Sequence, residues 1–329
     1  MHTFKCNKLI LSSISLIGGL VSTSLWADNV SAKEEWKFTL KNAYINRNFE
    51  NEALKDTGSW SQAASLFYNS RMLETPLSIA EKPLTIGVDA SVQYAVRLSS
   101  DKHVADTVLP FDKVTQSQAS DYLKHGATLK LGYDRTLLSV GELWLDLPVT
   151  AVDTSRQLLT SYWGANLKSQ LTDQLYAEIG RVEKVSPRNE EDFRKFSFTS
   201  NGKTEYSDGL NYIDLRYQFS PDLKGEYYYG NMEDLYNKHY LGLEHNLKGK
   251  NYVLNSKFKY FNAKDNGNLF DIDAQNAGRG CQMHWPCNQC NLGTQISQKH
   301  RAIRPGAILF NRNNAYALQR QCFHTEFRR

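Results

Sequence analysis

The stretch LTIGVDASVQYAVRL, residues 84–98, decides the fold. Leu84, Ile86, Val88, Ala90, Val92, Tyr94, Val96 and Leu98 take every second position. Thr85, Gly87, Asp89, Ser91, Gln93, Ala95 and Arg97 fill the positions between. A period of two belongs to a β-strand, whose successive side chains point to opposite faces. The run is longer than the usual globular strand of about five or six residues. It suits a tilted strand crossing a bilayer, which needs about 9 to 11 residues.

The same grammar repeats along the chain. WKFTLKNAYI (36–45), ATLKLGY (127–133), LYAEIG (175–180), YIDLRYQF (212–219) and YVLNSKFKY (252–260) all alternate. Turn-like patches separate runs of this kind: SPDLKG (220–225), HNLKGKN (245–251) and NAKDNGN (262–268). About ten strands joined by short turns make an antiparallel meander.

Their polar faces carry Asp89, Arg97, Lys130, Asp214, Arg216, Lys257 and Lys259. In a soluble sandwich these charges would face outer water, with the apolar face packed inside. In an outer-membrane barrel the apolar face meets lipid and the charges line a wet lumen. Both readings give the same alternation. Aromatics at strand ends (Trp36, Tyr44, Tyr94, Tyr133, Tyr217 and Tyr260) fit interfacial girdles and favour the barrel. The seven charged residues are then the candidate pore lining.

The N-terminus points the same way. Lys5 and Lys8 precede the apolar LILSSISLIGGLVSTSLWA (9–27), and VSA (30–32) is a small-residue cleavage site. This predicts a Sec-type signal peptide over 1–32, cut after Ala27 or Ala32. Residues 33–280 contain no cysteine, so an exported chain of this size rests on a core or a continuous sheet rather than on disulfides. A net charge of +4 gives no sign of a nucleic-acid partner. His103, His125, His239 and His245 are scattered, with no G-x-S-x-G elbow, H-E-x-x-H or P-loop nearby, so no enzyme and no cofactor is expected.

Longer segments resemble the OprD family of Gram-negative outer-membrane porins. The residues that carry this are Gly141, Glu142, Leu143, Pro148 and Val149; then Asp153, Ser155, Arg156, Leu158 and Leu159; then Glu233, Asp234, Tyr236, Tyr240, Leu241 and Leu243. GVDA (87–90) and VLP (108–110) also look like family positions. The resemblance covers residues 35–276 and implies a barrel of about 18 strands whose inward-folded loops narrow the pore. It implies passive, selective diffusion of small solutes: basic amino acids, small peptides and, in some species, carbapenems. Asp153, Ser155 and Arg156 are then constriction-loop candidates. Arg156 is read as a pore-facing cation or a loop anchor, or equally as the partner of Asp153 in a salt bridge that shapes the turn. The expected partners are outer-membrane lipid, the solutes and the barrel-assembly machinery, with a homo-oligomer as a further option.

Beyond residue 276 the grammar changes. GRGCQMHWPCNQC (278–290) places Cys281, His284, Cys287 and Cys290 close together, a weak zinc candidate whose spacing is compressed for paired knuckles. A shifted reading frame explains the region better. Joining the last base of each codon to the first two of the next across 282–288 permits Asn/Asp-Ala-Leu-Ala-Leu/Met/Val-Gln, a plausible strand continuation. The expectation is therefore an incomplete antiparallel transmembrane barrel over 33–276, with about ten to twelve strands of a parent of about 18. Residues 277–329 would form an out-of-frame, disordered tail, and the product would be a truncated, impaired porin. The alternatives are a secreted soluble all-β binding protein and a smaller barrel with a metal-binding tail.

Overall fold

The computed structural model describes residues 33–47, 57–99, 109–112, 117–148, 150–153, 156–200, 203–249 and 252–267, with the backbone of 289–298. In chain order the strands are β1 (Glu35–Arg47), β2 (Thr57–Asn69), β3 (Leu73–Ile79), β4 (Lys82–Arg97), β5 (Phe111–Asp112), β6 (Ser117–Gln118), β7 (Asp121–Tyr133), β8 (Thr136–Leu143) and β9 (Ser161–Gln170). Then follow β10 (Leu175–Ser186), β11 (Arg194–Ser200), β12 (Lys203–Ser207), β13 (Leu210–Ser220), β14 (Leu223–Met232), β15 (Tyr236–Lys248), β16 (Tyr252–Asp265) and β17 (Gln289–Gln298). No helix occurs among the described residues.

Twelve of these strands form one antiparallel path, β1-β2-β4-β7-β8-β9-β10-β13-β14-β15-β16-β17. β3 and the β11–β12 hairpin hang off it. Among the described residues β1 and β17 each have one neighbour, so the sheet is open. The connections differ by end. Residues 134–135, 171–174, 221–222 and 249–251 are tight at one end, whereas at the other 98–120, 144–160 and 187–209 are long and 233–235 is short. Short turns at one end and long loops at the other are the pattern of outer-membrane barrels.

Burial decides between the two all-β readings. On β4, Val88, Val92 and Tyr94 are 48%, 49% and 42% exposed, while Ser91 and Gln93 are 3% and 0% exposed. β7 repeats this, with Leu123, Leu129 and Leu131 outside and Lys124, Thr128 and Lys130 buried. Register aligns the faces: Val88 opposes Leu129 and Ile86 opposes Leu131 on the apolar side. A soluble sandwich buries its apolar face. This sheet exposes it, far beyond the few hundred Å² that a monomer shows water. Hydrocarbon on the outside removes the conflict.

Most of the aromatics lie near strand ends as expected, whereas Tyr260 falls inside β16. Trp36, Tyr44, Tyr94 and Tyr217 are exposed. Trp36 packs on Tyr68 with centroids 4.4 Å apart, and Tyr217 on Phe219 at 4.8 Å. Tyr133 and Tyr217 reach turns with their hydroxyls, donating to Ile79 O at 3.0 Å and to Gln174 Oε1 at 2.9 Å. Such side chains keep an apolar body in lipid and a polar tip in water.

Within the tail read as disordered and out of frame, Gln289–Gln298 form β17 and extend the sheet from β16. Backbone pairing needs no side-chain alternation, and alternation was the signal missing there. Cys281, His284 and Cys287 lie outside the described residues. Cys290 is placed in β17 by its backbone alone. No metal-holding group of three or more ligands occurs among the described residues.

If the apolar face meets lipid, a charge there is costly in proportion to depth. Leu129→Arg is expected to destabilise the protein in lipid vesicles by about 2–4 kcal/mol, and Ser139→Arg, on the opposite face, by far less. Guanidinium unfolding of the vesicle-inserted protein measures both, and equal losses would contradict the assignment of faces.

Candidate functional site

Loop 144–160, between β8 and β9, folds against the polar face of the sheet and so defines that face as the interior. Its outgoing arm is apolar. Leu145 and Leu147 are buried with Leu143, Tyr162, Val182, Leu210, Tyr212, Tyr228, Met232 and Tyr240. Leu145 and Val152, Leu147 and Thr150, and Asp146 and Ala151 pair across the loop's tip. Thr150 Oγ1 meets the Tyr228 hydroxyl at 3.4 Å, and Tyr162 donates to Ala151 O at 3.1 Å.

The returning arm is stitched residue by residue across four strands. Arg156 O accepts from Lys41 Nζ of β1 at 3.1 Å. Gln157 Nε2 donates to Ser61 O and Oγ of β2 at 2.7 and 2.8 Å. Leu158 is buried with Ala63, Ala95, Leu109 and Tyr122. Leu159 N donates to Gln93 Oε1 of β4 at 3.0 Å, and Leu159 O accepts from Lys124 Nζ of β7 at 2.7 Å. β2 reads SWSQAASLFYN because small Ser59, Ser61, Ala63 and Ser65 leave room for this arm.

Gly141 turns a further residue inward. Strict alternation from Val140, which is exposed, would put Glu142 on the lipid face. Gly141 adopts a φ of +122°, where a Cβ would lie 2.4 Å from Ala127 O, and Glu142 turns into the interior. There its carboxylate lies over Gly126 and accepts from Ser91 Oγ at 2.5 Å. The side chain is 2% exposed and supports the base of the loop.

All seven pore-lining candidates lie on the polar parity of the sheet, and they do different things. Asp89 pairs with Lys130 at 2.5 Å and accepts from Ser70 N, while Lys130 also donates to Ser70 O at 3.0 Å. This pair fixes the chain where it leaves β2. Arg97 stands at the loop end of β4 and donates to Gln118 O at 2.6 Å, anchoring segment 117–120. Asp214 is fully buried. Arg216 reaches Asp214 Oδ2 at 2.6 Å and Glu226 at 3.2 Å, lies over the Tyr176 ring at 5.3 Å, and donates to Asp146 O of the loop at 3.4 Å. Register lines up Tyr176, Arg216, Glu226, Gly242 and Lys259 across five strands. One step along the strands, Lys257 pairs with Glu244 at 2.6 Å.

Of the constriction candidates, Asp153 pairs with Arg188 of the next long loop, and Arg156 serves the arm through its carbonyl. Ser155 lies outside the described residues. Tyr176, Glu178, Glu226, Lys124, Gln93 and Gln157 were not singled out from the sequence. The signal was present for most of them, since Lys124 shares the parity of Lys130, and Tyr176 and Glu178 share a parity that registers with Arg216 and Asp214.

The stretch 231–236 forms a tight turn at the mouth, with Asp234 at a φ of +58°. Glu233 accepts from Arg181 Nη1 at 2.5 Å and Asn211 Nδ2 at 2.9 Å. These donors hold its carboxyl below the usual glutamate range.

An outward apolar face, an inward face of opposed charges and a loop sewn against that face define the wall of an outer-membrane β-barrel. The chain belongs to the OprD family of outer membrane porins, whose family model matches residues 31–294. It is 76% identical to OccAB4 of Acinetobacter baumannii, a crystal structure it matches with a TM-score of 0.74 over 81% of this chain and 65% of that one. It is 30% identical to the porin-like protein GalP of Pseudomonas putida over 70% of this chain and 54% of that protein. OpdK of Pseudomonas aeruginosa, solved with vanillate, is 26% identical at a TM-score of 0.62, with 71% of this chain and 58% of that one covered. The chain spans about half the length of the curated relatives it matches. The family match runs past residue 276 into the tail.

Removing the Gln157 amide takes two buried hydrogen bonds from the returning arm. Gln157→Ala is expected to lower the opening free energy of segment 156–160 by about 1–3 kcal/mol, read by hydrogen exchange, and unchanged protection would deny the stitch. The turn at Glu233 responds to acid. A carboxyl lowered in the folded state stabilises above its unfolded value and loses that contribution as pH falls through the folded one. Acidification below the ordinary glutamate value of 4.5 should therefore loosen residues 231–236, and Glu233→Gln should remove that pH dependence.

Proposed function

We propose that this chain supplies wall and constriction for an outer-membrane channel through which small solutes diffuse passively. The observation that carries this is the row of opposed charges beside the inward loop. Arg216 stands between Asp214 and Glu226, with Lys259 two strands further along the same row. A solute bearing both an amine and a carboxylate meets complementary groups along that row, and pore-wall charge selects at close range. Basic amino acids, small peptides and carbapenems are of this kind. The related channel solved with vanillate, an aromatic carboxylate, supports a carboxylate-bearing solute.

The remaining assignments follow from this reading. Residues 1–32 serve as a Sec-type signal peptide cleaved after Ala27 or Ala32. The barrel-assembly machinery inserts the strands, lipid covers the apolar face, and copies of the chain associate in the membrane. The out-of-frame reading of 277–329 adds that absolute flux is low, so the readout is a ratio rather than an amplitude.

Arg216→Gln makes the row more negative. In vesicles containing the full chain, the ratio of lysine to glutamate uptake is expected to rise about threefold or more, and Glu226→Gln should move it the other way. Uptake no faster than in protein-free vesicles would end the channel reading. Uptake with ratios unmoved by either variant would remove this row from selection.

A further inference from the structure

Lys124 sits on β7 in the crease between the wall and the returning arm of loop 144–160, 2% exposed. An ammonium has three N–H donors and no acceptor. Here three backbone carbonyls receive it: Leu159 O at 2.7 Å, Ser186 O at 2.9 Å and Pro187 O at 2.9 Å. The acceptors come from two segments distant in sequence. Leu159 closes the inward loop, while Ser186 and Pro187 form the base of the long loop 187–209. No water is needed to complete the shell of the ammonium, and no other side chain supplies three donors from one atom.

Two further links join the same pieces. Tyr122, two residues before Lys124, donates to Arg188 O at 2.7 Å. Arg188 in turn pairs with Asp153 of the inward loop. Between the two loops lies a cavity of about 560 Å³. Thr150, Asp153 and Thr160 line it from one loop, and Arg188, Arg194 and Phe196 from the other. The cavity keeps its width only if the loops keep their spacing.

We propose that Lys124 is the positioning residue of the constriction: its ammonium locks loop 144–160 to the base of loop 187–209, so that the two hold the aperture as one body. The proposal rests on reading the chain as channel wall and constriction. A methionine at this position fills the space but removes all three of these bonds, leaving Pro187 O the Glu190 amide at 3.2 Å. An arginine keeps charge and donors on a planar fork.

The test is hydrogen exchange on the full chain refolded into phosphatidylcholine vesicles, as wild type, Lys124→Met and Lys124→Arg. In Lys124→Met, segments 156–160 and 186–189 should exchange about tenfold faster or more, with β13 unchanged, because three acceptors lose their donor together. Lys124→Arg should restore most of that protection, which a side chain acting by bulk alone would not require. Wild-type protection at both segments in Lys124→Met would overturn the lock, and loosening of only one would overturn the coupling. If Lys124→Met does not fold, wild-type exchange at graded denaturant still decides. The lock expects one shared opening transition for the two segments, and two separate transitions refute it. Lysine uptake by the same vesicles reports separately on the channel: no uptake with shared opening sinks the channel and leaves the lock, and uptake with separate openings does the reverse.

Discussion

Hydrocarbon offers no hydrogen bonds, and the rest of this structure depends on that. Every backbone N–H and C=O within the bilayer must find its partner in a neighbouring strand. The antiparallel meander does this with the shortest connections, so β7 and β8 meet across residues 134–135 and β13 and β14 across 221–222. Once the backbone is satisfied internally, side chains on the outer face need only be apolar. Val88, Leu129 and Leu241 are exposed, and on a face turned to hydrocarbon they need no protein packing partner. This inverts the logic of a soluble domain, in which the apolar face is the scarce and buried one.

Inverting the faces moves the packing problem inside. A polar wall cannot hold a loop by hydrophobic burial alone, so loop 144–160 uses two devices. Its outgoing arm brings its own apolar surface, Leu145 and Leu147, to a patch of Tyr, Val and Met on β9, β10 and β13–β15. Its returning arm lies across the strands and exchanges hydrogen bonds with β1, β2, β4 and β7 in turn. Buried polar groups demand full satisfaction, so each stitch also fixes position. The run Arg156-Gln157-Leu158-Leu159 is therefore specified by the wall opposite it. Gln157 needs the small serines of β2, and Leu158 needs Ala63 and Ala95.

Much of this was legible in the sequence. The period of two in 84–98 gave strand, length and faces, and the seven charged residues chosen from it all lie on the interior parity. What alternation could not show was which interior charges are engaged by neighbours. Arg97 carries the same pattern signal as Arg216, yet it holds a loop segment, whereas Arg216 on β13 joins β10, β14 and a loop tip. That difference is set by register, a long-range property. Glu142 illustrates the other limit. Its residue type allowed either a lumenal acid or an exposed strand end, and the positive φ of Gly141 brings it inside. β17 was missed because pairing with β16 is a backbone event that leaves little trace in residue type.

A narrow channel needs an aperture that is held firmly and a wall that lets solutes go. In the proposed channel these two tasks fall to different kinds of contact. Position is set by buried side chains bonded to backbone carbonyls and amides, as at Gln157, Gln93 and Lys124, and these groups are nearly inaccessible to a passing solute. In the proposed channel, selection would fall to charges that stay partly open, Arg216 with Glu226 and Lys257 with Glu244. Each of these has an internal partner of opposite sign. A solute carboxylate reaching Arg216 must compete with Asp214 and Glu226, which weakens its hold, and conduction requires that it leave as readily as it enters. The same pairing keeps the wall from becoming a trap. An unpartnered arginine in a half-buried groove would bind a carboxylate too well, whereas one shared among acids offers a shallow site. Opposed charges along one row are thus the arrangement expected of a wall that orients solutes while passing them.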